Sequence, residues 1–354
     1  MLRDDPNWVD TIGYTYVSGA FELSNGDLLL SDPRESRLES RRPGSAKRRL
    51  VGRQGFGPAE WPTALAVSGI AGDSSLLVDS VSRRVLLLAG ETPLQARALP
   101  EAASPLRGVF VIGALSSRSL VVVRAPRTIS SDPLVDSSEV DVLDLSTEQL
   151  TRIGMLRRAE GDLVRVGNTE ALSRPAFSVA EQVAVCVDGW IAVARRAPYR
   201  VDWREPGGRW RLGPPIEATE LPMTADEESF YASRMSELRQ ALPRMSPEER
   251  QVRERLLTDL PGTIPPFPPE AVHCLRSGEV SVTRTPTSTM PFPSVDVVDR
   301  SGRRVAALSF PSMTRVVGAG ARRLYLVTRD SMALEYVARF DLALMKDSAT
   351  SDPR

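Results

Sequence analysis

Histidine and cysteine are almost absent from this chain. His273 is the only histidine, and Cys186 and Cys274 are the only cysteines, among 354 residues. A zinc centre built from several His and Cys ligands is thereby excluded. Lysine is nearly missing too: Lys47 and Lys346 are the only two of the 45 basic residues. Asparagine occurs only at Asn7, Asn25 and Asn168. GC-rich coding produces such a bias without selection on function, so arginine abundance alone is no sign of anion binding. Charge of one sign is also lacking. The 45 basic residues balance 45 acidic ones, which removes the basic excess of a nucleic-acid binder. No run reaches the roughly 18 apolar residues of a membrane span. Met1 to Asp10 is polar and lacks the basic and apolar regions of a signal peptide. Two cysteines some 90 positions apart set no disulfide framework. Each lies in an apolar run, VAVCVDG and AVHCLRSG, and is expected as a buried thiol.

What is present is a sequence rich enough in apolar residues for a large core, 42% hydrophobic against 25% charged. Its apolar runs are short and end in turn signals. In AFELSNGDLLLSD (20–32) two extended runs flank Ser24-Asn25-Gly26, a strong hairpin signal because the central residues accept positive φ. The grammar returns at Asp188-Gly189 in VAVCVDGWIAVAR and at Ser277-Gly278 in AVHCLRSGEVSVTR. Weaker copies start at Leu65, Val109 and Val316, making six. A third extended segment follows each: SRLESRR, RRVLLLA, SEVDVLDL, PYRVDWRE, SVDVVDR and EYVARFDL. Four copies add a fourth segment, and QLTRIGML is a less regular one in the third copy. Four strands repeating every 40 to 55 residues are the mark of a β-propeller. The sixth copy stops after its third strand at Phe340-Asp341-Leu342, while Trp8 to Ile12 is extended and unpartnered. The expected fold is therefore all-β: a six-bladed propeller of four-stranded antiparallel blades, closed by an N-terminal strand.

One stretch breaks this rhythm. Thr224-Ala225-Asp226-Glu227 reads as a capping box opening a helix to Leu242, which Pro243 stops. Ser246-Pro247-Glu248-Glu249 opens a second helix, with Pro at its first position, expected to run to Leu260. The helical hairpin, 217–270, is expected as an insertion within one domain spanning 1–354, and 345–354 as a flexible tail. Phe230, Met235, Leu238 and Leu242 lie near one helical face, which suits a cap on the rim or a lid.

The connector GRQGFGPAEW at 52–61 resembles the G-x-x-G-x-G-P-x-E-aromatic segment of NHL-like six-bladed propeller proteins, a large bacterial group. DGWIAVARRAPYRVDWREPGG, PPFPPEAVHCLRSGEVSV and EYVARFDL resemble its fourth, fifth and closing units, so the likeness covers nearly the whole chain. It implies the propeller fold and, for many members, export or a lipid anchor. It implies no catalytic residues, cofactor or metal.

Chemistry is sought where blade connectors and second-to-third-strand turns share a face. Those turns carry Arg34, Arg84, Arg124, Arg196, Arg284 and Arg329, and the glycine-rich connector carries Arg53. Such a rim of guanidinium forks suits carboxylate or phosphate oxygens. Asp32, Asp79 and Asp330 lie beside three of the turns and offer local neutralisation instead. The expected inner strands hold few ionisable residues: Glu22, Glu181, Glu270, His273 and Arg315. No Gly-x-Ser-x-Gly elbow accompanies His273, which reads first as a packed strand residue. The leading expectation is a monomeric, non-catalytic recognition protein. Its small anionic ligand, glycan or protein partner would sit at the insertion-bearing face, with no nucleic acid and no cofactor. The alternative is a propeller hydrolase or lyase using channel carboxylates such as Glu22 and Glu181.

Overall fold

The computed structural model describes residues 5–342 apart from 46, 58–59, 62–65, 80–81, 104–108, 125–136, 159–161, 167–168, 174–175 and 218–220. The expected tail at 345–354 lies outside the described residues. The protein is mostly β, and its strands assemble into four-stranded antiparallel sheets of the propeller kind. Sheet one comprises Gly19–Glu22, Leu28–Asp32, Arg37–Arg41 and Arg48–Leu50. Sheet two comprises Ala66–Gly69, Ser74–Asp79, Arg84–Ala89 and Thr92–Ala98. Sheet three holds Val109–Ser116, Ser119–Arg124, Ser137–Asp144 and Leu150–Arg157. Sheet four holds Gln182–Val185, Ile191–Arg196, Tyr199–Arg204 and Trp210–Arg211. In sheet five these are Val272–Cys274, Val280–Thr283, Ser294–Val298 and Arg304–Ser309. Sheet six takes Arg315–Ala319, Arg323–Arg329 and Glu335–Asp341 from the end of the chain and Trp8–Val9 from its beginning.

Each sheet is apolar on both faces, so its strands need a neighbour on either side. Along Leu28-Leu29-Leu30, Leu28 and Leu30 pack with Val317, Tyr325 and Val327 of sheet six. Leu29 packs the other way, with Leu77 and Leu86 of sheet two. This period-two alternation recurs, and the core is divided into apolar clusters lying between successive sheets. The first strands of neighbouring sheets touch in chain order, and that of sheet six touches that of sheet one. Ala20 and Phe21 there pair in parallel with Gly318 and Ala319. Close approach forces the glycine: a Cβ on Gly318 would strike the Ala20 carbonyl.

The N-terminal segment is stitched to the last sheet. Trp8 pairs with Arg339 and Val9 with Ala338, while Asp10 N–H donates to the Val337 carbonyl at 2.7 Å. The ladder is two residues long, shorter than the expected Trp8–Ile12. After it, Asp10 turns its carboxylate inward, accepts from Ile12 N–H at 3.1 Å and meets Arg41 of sheet one. Both side chains of that ion pair are buried, and Tyr14 Oη donates to the same Asp10 at 3.3 Å.

Two expectations are corrected here. Cys186 and Cys274 are not free thiols; they form a disulfide with Cα atoms 5.3 Å apart, joining sheets four and five. Their separation of 88 residues hides this, because adjacent first strands place distant sequence side by side. The third copy's less regular fourth segment is the eight-residue strand Leu150–Arg157, whose irregularity is a register shift that skips Ile153 opposite Val140 and Asp141. The helical segment has three helices: α1 (Ala225–Arg234), α2 (Ser236–Ala241) and α3 (Pro247–Thr258). The capping box expected at α1 is only half formed, Thr224 accepting from Glu227 N–H, whereas the full box stands at α3, between Ser246 and Glu249. The buried residue of α1 is not apolar but Glu227, whose carboxylate accepts from the backbone N–H and hydroxyl of Ser288. At its base, Leu221–Pro222 pairs with Thr263–Ile264.

Replacing Asp10 by Ala leaves the Arg41 guanidinium buried without its partner and should destabilise the protein by about 3–5 kcal/mol in denaturant melts. Removing residues 1–12 should end cooperative folding; unchanged melts in either variant would show that the stitch is dispensable. Reduction of Cys186–Cys274 should cost about 2–4 kcal/mol. Equal melting with and without reductant would deny the bond a stabilising part.

Candidate functional site

The arginines after the second strands are in place, but each is engaged. Arg124 Nε donates to Asp141 at 3.0 Å, and Arg284 to Asp296 at 3.1 Å. Arg53 pairs with Glu60. Arg84, Arg196 and Arg329 donate to the carbonyls of Gly57, Val179 and Ala333. Arg34 lies over the Tyr16 ring. The aspartates at the turns serve the backbone instead: Asp32 accepts from Arg34 and Glu35 N–H, and Asp330 from Met332 and Leu334 N–H.

A second periodicity explains the first. The third strands of sheets one, three, four and five carry a buried acid: Glu39, Asp141, Asp202 and Asp296. In sheets three, four and five, second-strand or turn arginines reach it, with Arg195 bonding Asp202 at 2.8 Å. A buried carboxylate needs a charged partner, so Arg124 and Arg284 of the expected rim, with Arg195 beside it, belong to the sheet's own construction. Arg196 and Arg284 of the expected rim share a cavity.

The carboxylates expected in the channel do not line it. The cavity enclosed by the first strands measures about 250 Å³, and its walls are largely Val, Ala and Gly with Ser18, Ser68, His273 and Arg276. Glu22 is buried, paired with Arg323, and accepts from Tyr325 Oη at 2.9 Å. Glu181 accepts from Arg195 and from Arg157 N–H at 2.7 and 2.9 Å. At one end Arg276 crosses the channel to the carbonyl of Gly72, its guanidinium 5.3 Å above the Phe21 ring. Among the described residues no group of three or more His, Cys, Asp or Glu is placed to hold a metal ion, and no helix is long and apolar enough to cross a membrane.

His273 sits on this wall with Nε2 buried and unpartnered, the Glu270 backbone bonding the other ring nitrogen. Burial, with the Arg315 charge second, holds its pKa down to about 4 from 6.5. The imidazole is therefore neutral at physiological pH. The glycine-rich connector is a tight turn: Gly57 N–H donates to the Glu60 carboxylate at 2.8 Å, and Gly52 and Gly55 have positive φ.

A cavity of about 630 Å³ lies elsewhere, between sheets four and five and the base of the helical segment. Arg196 and Tyr199 come from the turn after Ile191–Arg196, which contains the cis bond Ala197–Pro198. Arg284, Thr285 and Thr287 come from the loop after Val280–Thr283, and Ile216 and Glu217 from the chain leaving sheet four. Tyr199 Oη donates to Asp296 Oδ2 at 3.1 Å, beneath the Arg284 guanidinium 4.7 Å from its ring centre. Burial first, then the Asp296 charge, raises the phenol's pKa and keeps it protonated. Glu217 is the cavity's one lining carboxylate among the described residues. Sequence reasoning missed Tyr199, Asp296 and Glu217. The available signal was an acid at an inward position of SVDVVDR.

No family model matches the chain, and no curated protein matches it. The resemblance to NHL-like proteins thus rests on the quoted segments alone. Among solved structures, regucalcin from Agrobacterium tumefaciens, titled a calcium-binding protein, is similar at 11% identity and TM-score 0.46, over 96% of this chain and 95% of that one. A gluconolactonase from Xanthomonas campestris is similar at 11% and 0.43, over 92% and 88%. A streptogramin B lyase is similar at 11% and 0.41, over 95% and 86%. These likenesses assign no residue and no reaction to this chain. The expectation of non-catalytic recognition at an arginine rim is corrected by the geometry: Arg53 and Arg124 are held by carboxylates, Arg84 and Arg329 by carbonyls and Arg34 by a ring, so these guanidiniums form no common ligand mouth.

Protonation of His273 should weaken the fold. Its folded pKa lies below its unfolded value, so the unfolded chain binds the proton first as pH falls from 6.5 towards 4. Stability should decline across that window by up to roughly 1.4 kcal/mol per pH unit. His273→Gln should flatten this slope; an equal slope in the variant would assign it to other groups.

Proposed function

We propose that the chain is a hydrolase or lyase built on a six-bladed propeller, closed through Trp8–Val9, with the helical hairpin as an insertion on one face. The cyclic order of first-strand contacts and the apolar clusters between successive sheets support the architecture. The reaction takes place in the 630 Å³ cavity at the insertion's base, not in the axial channel. One observation carries this reading: its walls unite a phenol, a carboxylate and two guanidiniums. Those groups answer the needs of general acid–base chemistry on a carbonyl or carboxylate substrate. Glu217 takes a proton from water or from carbon, Tyr199 gives one to the leaving oxygen, and Arg196 and Arg284 stabilise the developing anion.

Turnover of a panel of lactones, esters and uronates is the test. Tyr199→Phe and Glu217→Gln should each lower kcat by about 10²–10⁴-fold, with circular dichroism unchanged. Equal turnover in both folded variants, or none by the parent on any substrate, would overturn the assignment.

A further inference from the structure

The 630 Å³ cavity is not isolated. It shares Arg196, Ala197, Ile264, Pro265 and Pro266 with a 400 Å³ cavity beside α3. On its other side it shares Glu217, Leu221, Arg284, Thr285 and Thr287 with a 340 Å³ cavity along sheet five. The three form one groove under the helical segment. A single small lactone fills one such cavity and leaves two unexplained.

The walls state what the groove takes. Arg157, Arg196, Arg255, Arg284 and Arg304 line it against Glu217, Asp259 and Asp296. That is five cations to three anions in a chain of zero net charge; Arg255 is paired with Asp259, and Arg284 and Arg304 share Asp296, so the groove keeps an excess of two guanidiniums. The cations are distributed along the groove rather than gathered at one point. Arg157 is at one end, Arg196 and Arg284 in the middle and Arg304 at the other. Between them stand hydroxyls and aromatic faces: Ser178 and Phe177 at one end, Tyr199 in the middle, Thr289 and Ser294 at the other. Thr285 Oγ1, on the wall that two cavities share, is buried without a hydrogen-bond partner. Such an atom calls for a ligand hydroxyl or a water.

From this we infer that the substrate, on the enzymatic reading above, is an extended anionic oligosaccharide, its repeated acids matched by the spaced guanidiniums and its hydroxyls by the threonines and serines. Its chemistry in the central cavity is β-elimination on a uronate. Glu217 removes the proton from the carbon bearing the carboxylate, and that C–H electron pair forms a carbon–carbon double bond. The neighbouring bond to the glycosidic oxygen breaks, and that oxygen takes the Tyr199 proton. No water is consumed.

Galacturonate oligomers from dimer to hexamer, a sulfated hexamer and a neutral galactose hexamer provide the probes. Elimination is read from the ultraviolet absorbance of the conjugated double bond and affinity from calorimetry. The uronate kcat/KM should rise roughly tenfold or more from dimer to hexamer. Arg157→Ser should remove that rise. The sulfated hexamer should bind and compete without being cleaved, and the neutral one should do neither. Uronates inert towards a protein that still turns over a small lactone through Tyr199 and Glu217 would overturn this inference and leave the enzymatic reading standing. Length- and charge-dependent binding with no substrate turned over would uphold the groove and overturn the enzymatic reading.

Discussion

A sheet that is apolar on both faces has no stable place except between two others, and the rest of this structure follows from that constraint. Leu28 and Leu30 face sheet six and Leu29 faces sheet two, so neither face of sheet one survives alone. A linear stack would leave two apolar faces in water. The first strand of sheet six pairs with that of sheet one, where segments from the two ends of the chain meet. The pairing of Trp8–Val9 with Glu335–Asp341 and the burial of Asp10 against Arg41 are the local form of that meeting.

The same constraint accounts for the arginines. A strand buried on both sides has no solvent face on which to place a charge, yet four third strands carry an acid in their midst. Each is held by an arginine that reaches in from a strand end, which fixes register at the cost of desolvating both groups. At Arg124 and Arg284 the repeated arginine therefore reflects repetition of the sheet. The groups left for chemistry lie where the repetition fails: in the loop after Val280–Thr283, at the cis bond before Tyr199, and at the helical segment. That segment is itself held by a polar contact, Glu227 on Ser288, rather than by an apolar helix face. The contact ties α1 to the loop after Val280–Thr283.

Hairpins at Asn25-Gly26, Asp188-Gly189 and Ser277-Gly278 were legible in the sequence because turn chemistry is local. Both helix starts were legible for the same reason, through Thr224 and Ser246. The division of α1 from α2 at Met235 has no comparable local signal. Of the candidate site, the sequence brought forward Arg196 and Arg284 but set them in a rim with four arginines that serve other partners. Glu22 and Glu181 were placed by strand position alone, which does not reveal that Arg323 and Arg195 would claim them.

By itself the sequence determined the kind of fold, since strand length, period-two alternation and turn residues are properties of neighbouring positions. It also determined that no zinc cluster is possible, since the ligands are not there. Tertiary structure alone decided which side chains meet across the repeat. Cys186 found Cys274 across 88 residues, Arg276 reached Gly72 across 204, and Tyr199 met Asp296 across 97. These encounters depend on which sheets stand side by side and on where each strand stops. A one-residue change in register would turn every one of those side chains to the opposite face.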